Sequence, residues 1–147
     1  MTDHARFRHP AEHLFVYGTL MGGGRDALLT KVEASCEGRG AICAKLYNLG
    51  EYPGARPDHK HIVRGELYRL AQPRKALLVL DEYEDCWCSL RPRAQHLGAA
   101  ARRRGLFVRE LAMVQLDDGS EKKAWVYFYN RRVDESHWIA SGDYRDC

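Results

Sequence analysis

Leu14-Phe15-Val16-Tyr17-Gly18-Thr19-Leu20 is the stretch from which the fold is read. Four consecutive apolar residues, Leu14 to Tyr17, closed by Gly18, suit a buried strand that ends in a tight turn. Glycine at a strand end also lets successive backbone N–H groups face one side, an arrangement that receives an anion or an oxyanion. The same glycine can serve merely to turn the chain. Met21-Gly22-Gly23-Gly24 prolongs the turn without a Gly-Lys-Ser/Thr ending, so the segment is not a phosphate loop.

Upstream, residues 1–12 carry Pro10 among charges with no periodic face and read as a loose tail. They contain no apolar core of a signal peptide, and no later stretch approaches the length of a membrane span. Downstream, Ala27, Leu28, Leu29 and Val32 predict a short helix within Arg25–Ala34, and Ala41–Leu46 a strand. Gly50, Pro53, Gly54 and Pro57 make 48–61 a long ordered loop, while the alternation from Ile62 to Leu70 predicts a strand. Pro73 sits where a first helical turn tolerates proline, and Lys75–Glu84 carries the helical period. Residues 85–105 match no pattern and hold Arg91, Arg93, Arg102, Arg103 and Arg104, which predicts a basic surface insertion. Phe107–Leu116 and Ala124–Asn130 are further strands, with Asp117-Asp118-Gly119 as a hairpin-turn signal between them. Several strands, two helices and no βαβ rhythm predict one mainly β or α+β domain over 13–147, the α+β class being the one that the resemblance given below implies.

Composition narrows the function classes. Of 147 residues, 45% are hydrophobic and 29% charged, a globular balance, and at this length folding buries roughly 70% of the unfolded chain's surface. Lys and Arg total 23 against 20 for Asp and Glu, and an excess of +3 argues against a nucleic-acid or membrane-surface partner. The arginines of the insertion also lack the interleaved aromatics of a single-strand platform. The cysteines, 5 in all, lack the spacing of a disulfide framework, so reduced thiols and a cytoplasmic location are expected. Cys86-x-Cys88 would need further zinc ligands, and the spacing of His59 and His61 does not supply them, so no metal site is assigned.

The most informative oddity is Glu84. Leu77, Leu80 and Glu84 are spaced i, i+3, i+7, so this carboxylate continues a stripe that the leucines bury; Asp81 borders that face and Glu82 points toward solvent. Desolvation and the negative end of a helix both raise a carboxyl pKa, which suits a proton shuttle near neutral pH. The competing reading is a solvated acidic helix end. Trp125, Tyr127 and Tyr129 share one strand face, either as core or as a pocket wall whose phenols direct hydrogen bonds inward.

Together these segments resemble the gamma-glutamylcyclotransferase-like family. The resemblance is carried by Phe15-Val16-Tyr17-Gly18-Thr19-Leu20, Glu51-Tyr52-Pro53-Gly54, Val63-Arg64-Gly65-Glu66-Leu67-Tyr68 and Leu80-Asp81-Glu82-Tyr83-Glu84. Ala124-Trp125-Val126-Tyr127-Phe128-Tyr129-Asn130 and Ser141-Gly142-Asp143-Tyr144 extend it to the C-terminus. It implies a small mixed β-barrel with a few flanking helices, and an enzyme that cyclises a small γ-glutamyl amine or γ-glutamyl amino acid to 5-oxoproline without a cofactor. Carried over, Tyr17, Gly18, Thr19 and Leu20 bind the glutamyl part and Glu84 is the general acid and base; Tyr127 and Tyr129 are expected to face the substrate. The family often has Gly after the catalytic Glu, where this chain has Asp85. The readings set against the enzyme are a non-catalytic binding module on the same fold and an RNA-associated protein acting through residues 91–104. Oligomeric state and the released amine are left open.

Overall fold

A computed structural model describes residues 11–18, 26–50, 52–83 and 106–144. Most of the loose tail, Thr19, Leu20, Glu84, Cys86, Cys88 and the basic insertion lie outside the described residues. In chain order the elements are β1 (His13–Val16), α1 (Asp26–Lys31), β2 (Ala34–Asn48), β3 (Pro53–Leu70), α2 (Pro73–Tyr83), β4 (Phe107–Leu116) and β5 (Glu121–Tyr129), followed by a 3₁₀ turn at Glu135–His137.

The strands close into a barrel in the order β1-β3-β2-β4-β5. Four seams are antiparallel; the closing one, β1 against β5, is parallel, with Leu14 opposite Trp125. The expected small mixed β-barrel with flanking helices is the observed fold. Period-two alternation divides the apolar residues into two layers. Phe15, Val63, Leu67, Val114, Ala124, Val126 and Phe128 fill the interior. Leu14, Val16, Tyr68, Leu70 and Tyr127 point outward beneath Leu29 of α1 and Ala76, Leu77 and Leu80 of α2. A strand buried on both faces has no polar residues to alternate, which is why 14–17 reads as an unbroken apolar run.

One expected loop is not a loop. Residues 53–61 belong to β3, paired with β2 from Asn48↔Pro53 to Ala44↔Pro57 and again from Cys43↔Ile62 onward. The prolines are tolerated because Pro53 opens the strand and Pro57 borders a register shift, the positions where a missing N–H leaves no ladder bond unmade. Asp58-His59-Lys60-His61 is the extra chain accommodated at that shift. β2 likewise begins at Ala34 rather than Ala41, with a second shift between Cys36 and Gly38.

β2 meets β4 only at Gly40↔Leu116 and Ala41↔Gln115. Farther along β2 the chain after β5 takes the place of a neighbour: Trp138 bridges Tyr47, the Ile139 N–H donates to the Leu46 carbonyl (2.8 Å), and the Ile139 side chain is buried in the barrel layer. Among the described residues no helix is long and apolar enough to cross a membrane.

Candidate active site

The parallel seam brings the end of β1 beside the end of β5, so one barrel mouth collects Tyr17, Gly18, Pro53, Gly54, Phe107 and Tyr129. The first of these, Tyr17, turns its ring into the barrel. Its hydroxyl donates to the Tyr127 carbonyl (2.6 Å) and accepts from the Ala55 N–H (3.1 Å), so one phenol ties β1 to both β5 and β3. Gly18 follows because a Cβ there would stand 2.4 Å from Pro53 Cγ. On the rim, the Phe107 ring packs edge-on to Tyr129 at 5.7 Å and lies 6.0 Å from Tyr52.

On the outer face of β5, Tyr127 lies beneath α2 and donates its hydroxyl to Asp81 Oδ1 at 2.7 Å. Arg109, opposite Tyr127 on β4, donates from Nε to Asp81 Oδ1 (2.8 Å) and from Nη2 to Oδ2 (3.1 Å). Both members of this pair are enclosed, with side-chain exposures of 1% for Arg109 and 0% for Asp81. The Trp125 ring covers the guanidinium, whose carbon is 4.3 Å from the ring centroid. Asp81 therefore does more than border the buried stripe: with Leu77 and Leu80 it belongs to it, whereas Glu82 is exposed as expected.

The structure thus brings Tyr17, Gly18, Tyr127 and Tyr129 to one end of the barrel. Tyr127 faces Asp81 across the helix interface, and Tyr129 stands among the rim aromatics. Thr19, Leu20 and Glu84 are outside the described residues, Glu84 being the next residue in the chain after the end of α2. Sequence reasoning missed Arg109. The available signal was period two: Phe107, Arg109 and Leu111 share one face of β4, and a cation inside an apolar alternation calls for a carboxylate partner. Among the described residues no group of three or more His, Cys, Asp or Glu is placed to hold a metal ion. His61 lies 3.1 Å from Asp58 through Nδ1 and packs edge-on against Trp138.

A family model described as "Gamma-glutamyl cyclotransferase, AIG2-like" matches residues 14–146. The gamma-glutamylcyclotransferase family protein YtfP of Escherichia coli K12 is 35% identical over 102 residues, covering 69% of this chain and 68% of that protein. The solution structure of Escherichia coli ytfP superposes with a TM-score of 0.59 at 32% identity, over 92% of this chain and 99% of that one. A structure titled "Gamma-glutamyl cyclotransferase" shares the fold at a TM-score of 0.55 and 15% identity, over 82% of this chain and 67% of that one. Bacillus subtilis YkqA gives a TM-score of 0.63 at 21% identity over 93% of this chain, which spans 40% of the YkqA chain. Its sequence and its mixed barrel together place this chain as a member of the AIG2-like gamma-glutamyl cyclotransferase family.

Proposed function

We propose that the protein is a cytoplasmic γ-glutamyl cyclotransferase-type enzyme, acting on a small γ-glutamyl amine or γ-glutamyl amino acid. In the reaction the substrate's own α-amine attacks its γ-carbonyl carbon. A new C–N bond closes the five-membered ring of 5-oxoproline, the side-chain amide bond breaks, and the attached amine departs. Attacker and target belong to one molecule, so folding the substrate into the ring-like pose does much of the work, on the order of 7–11 kcal/mol for a well-oriented pair. The amine arrives as an ammonium ion. Glu84 takes one proton to free the lone pair and passes it to the leaving nitrogen, and the second proton that the attacking nitrogen sheds as the lactam forms follows the same route, so the amine departs as an ammonium ion and the carboxylate ends as it began. Backbone N–H groups of the Gly18-Thr19-Leu20 turn receive the substrate's anionic oxygen. No electron, hydride or phosphoryl group moves, so the chemistry calls on no cofactor.

The observation that carries this reading is the convergence of two segments far apart in sequence. The last turn of α2 is bonded through Asp81 to Arg109 on β4 and Tyr127 on β5, and the carbonyl of that same Tyr127 receives the hydroxyl of Tyr17, the residue before Gly18. The test is incubation of the purified protein with a panel of γ-glutamyl compounds and detection of 5-oxoproline by mass spectrometry. Glu84→Gln is expected to lower turnover by about 100-fold or more, the usual weight of a general acid–base group, while exposed Glu82→Gln stays near the parent rate. Equal rates for both variants would remove Glu84 from the mechanism.

A further inference from the structure

We propose that Tyr127 is a positioning residue that sets the spacing between the two halves of the site. On this view its phenol and its carbonyl hold α2 and the β1 turn in register. The inference rests on the cyclotransferase reading and adds to it a role for groups that do not touch substrate.

Tyr127 is held on both sides of the barrel wall. Inside, its carbonyl accepts from the Tyr17 hydroxyl at 2.6 Å; outside, its own hydroxyl donates to Asp81 at 2.7 Å. A single residue of β5 is thus one hydrogen bond from the residue preceding Gly18 and one from the last turn of α2. Ala76, Leu77 and Leu80 of that helix pack through apolar contacts, which are non-directional and tolerate small slides. Asp81 supplies a directional restraint: both its oxygens accept from Arg109 on β4, and one also accepts from Tyr127 on β5. Bonds from two strands to one planar carboxylate resist rotation of the helix end as well as sliding.

Stability alone does not account for these residues. A buried ion pair loses so much hydration that well-packed apolar residues of similar volume commonly hold a fold as well or better. A directed ion pair does have a use where a helix end must be placed to a fraction of an ångström. Glu84 follows Asp81 by three residues, a tether of at most about 11 Å. A misplacement of about 1 Å between reacting groups can cost 100-fold in rate.

Tyr127→Phe keeps the ring and its packing and removes the hydroxyl that bonds Asp81, so it separates positioning from folding. We expect its kcat to fall by about tenfold or more with KM within about twofold, since substrate binding at the β1 turn is retained while the acid–base group is misaligned. Its thermal unfolding curve should stay cooperative, with the variant fully folded at the assay temperature. Arg109→Lys, which keeps the charge but loses the two-pronged bond, is expected to show the same split of kcat from KM. An unchanged kcat in folded Tyr127→Phe, beside a parent enzyme that Glu84→Gln inactivates, overturns the positioning role and leaves the cyclotransferase reading standing. Loss of activity only in proportion to the unfolded fraction, with Arg109→Lys at the parent rate, overturns it too. Failure of the parent to release 5-oxoproline from any γ-glutamyl compound overturns both.

Discussion

Gly142 illustrates what a single residue contributes to this fold. Its φ of +72° lies where side chains are strained, and a Cβ would come within 2.1 Å of the Ile62 carbonyl oxygen. The close approach has a purpose, because the Gly142 carbonyl accepts from the Arg64 N–H (2.7 Å) and pins the C-terminal segment to β3. Gly119, at the β4–β5 turn, also has a positive φ, +92°, but nothing lies within 4 Å of its would-be Cβ. The pair separates conformational strain from collision. Gly119→Ala should cost about 1–2 kcal/mol, the ordinary penalty of the left-handed region. Gly142→Ala carries the same penalty plus that of displacing backbone, roughly 1–3 kcal/mol more. Urea unfolding of the two variants checks the order; equal losses would mean that Ile62 moves aside freely.

Elements differed in how openly the sequence displayed them. β4 has the bounds expected of it, up to the turn signal that follows, and α2 its proline-bearing first turn, because a turn signal and a helical stripe are both local patterns. The start of β3 was hidden: its prolines and glycine read as loop until the long ladder to β2 is seen, and such pairing is non-local information. The site divides in the same way. Glu84, the carboxylate that helical spacing puts on the α2 stripe, lies outside the described residues, whereas Asp81, read as bordering that stripe, is buried in it with a partner, Arg109, 28 residues away. The C-terminal strap was not legible at all, since its 3₁₀ turn has no buried residue and is held by polar bonds. Glu135 accepts from Lys45 Nζ (2.7 Å) and from the Tyr47 hydroxyl (2.6 Å). These bonds, that from Lys45 foremost, hold the Glu135 carboxyl below its ordinary 4.5, and the bond to Glu135 holds the Lys45 ammonium above 10.5. A depressed carboxyl pKa contributes stability above 4.5 that is lost as pH falls through the folded value; the raised lysine contributes below 10.5 and loses its share as pH rises through its own. Glu135→Gln should therefore show a shallower decline of the unfolding midpoint than the parent on acidification below 4.5. Identical declines would mean that the strap's ion pair is not formed in solution.

The barrel as a whole is closed by its least local contact. The β2–β3 and β4–β5 ladders join neighbours in sequence, whereas β1 meets β5 across more than 100 residues through one short parallel pairing. Closing so long a loop is entropically costly and yields few backbone bonds here, so side chains must reinforce the seam. Two do: the Trp125 indole N–H donates to the Ala11 carbonyl (3.0 Å), and the Tyr17 hydroxyl donates to the Tyr127 carbonyl while accepting from Ala55. Tyr17→Phe preserves the buried ring but leaves the Ala55 N–H and the Tyr127 carbonyl each one partner short inside the barrel. The expected loss is about 1–3 kcal/mol, the penalty of unsatisfied buried polar groups. Its distribution is the sharper test. Native-state amide exchange should quicken most at Ala55 and along β1 and β5, because the seam opens as a unit, while amides in the middle of the β2–β3 ladder follow the global change only. A uniform acceleration across all five strands would show that the phenol stabilises the barrel without acting as its clasp.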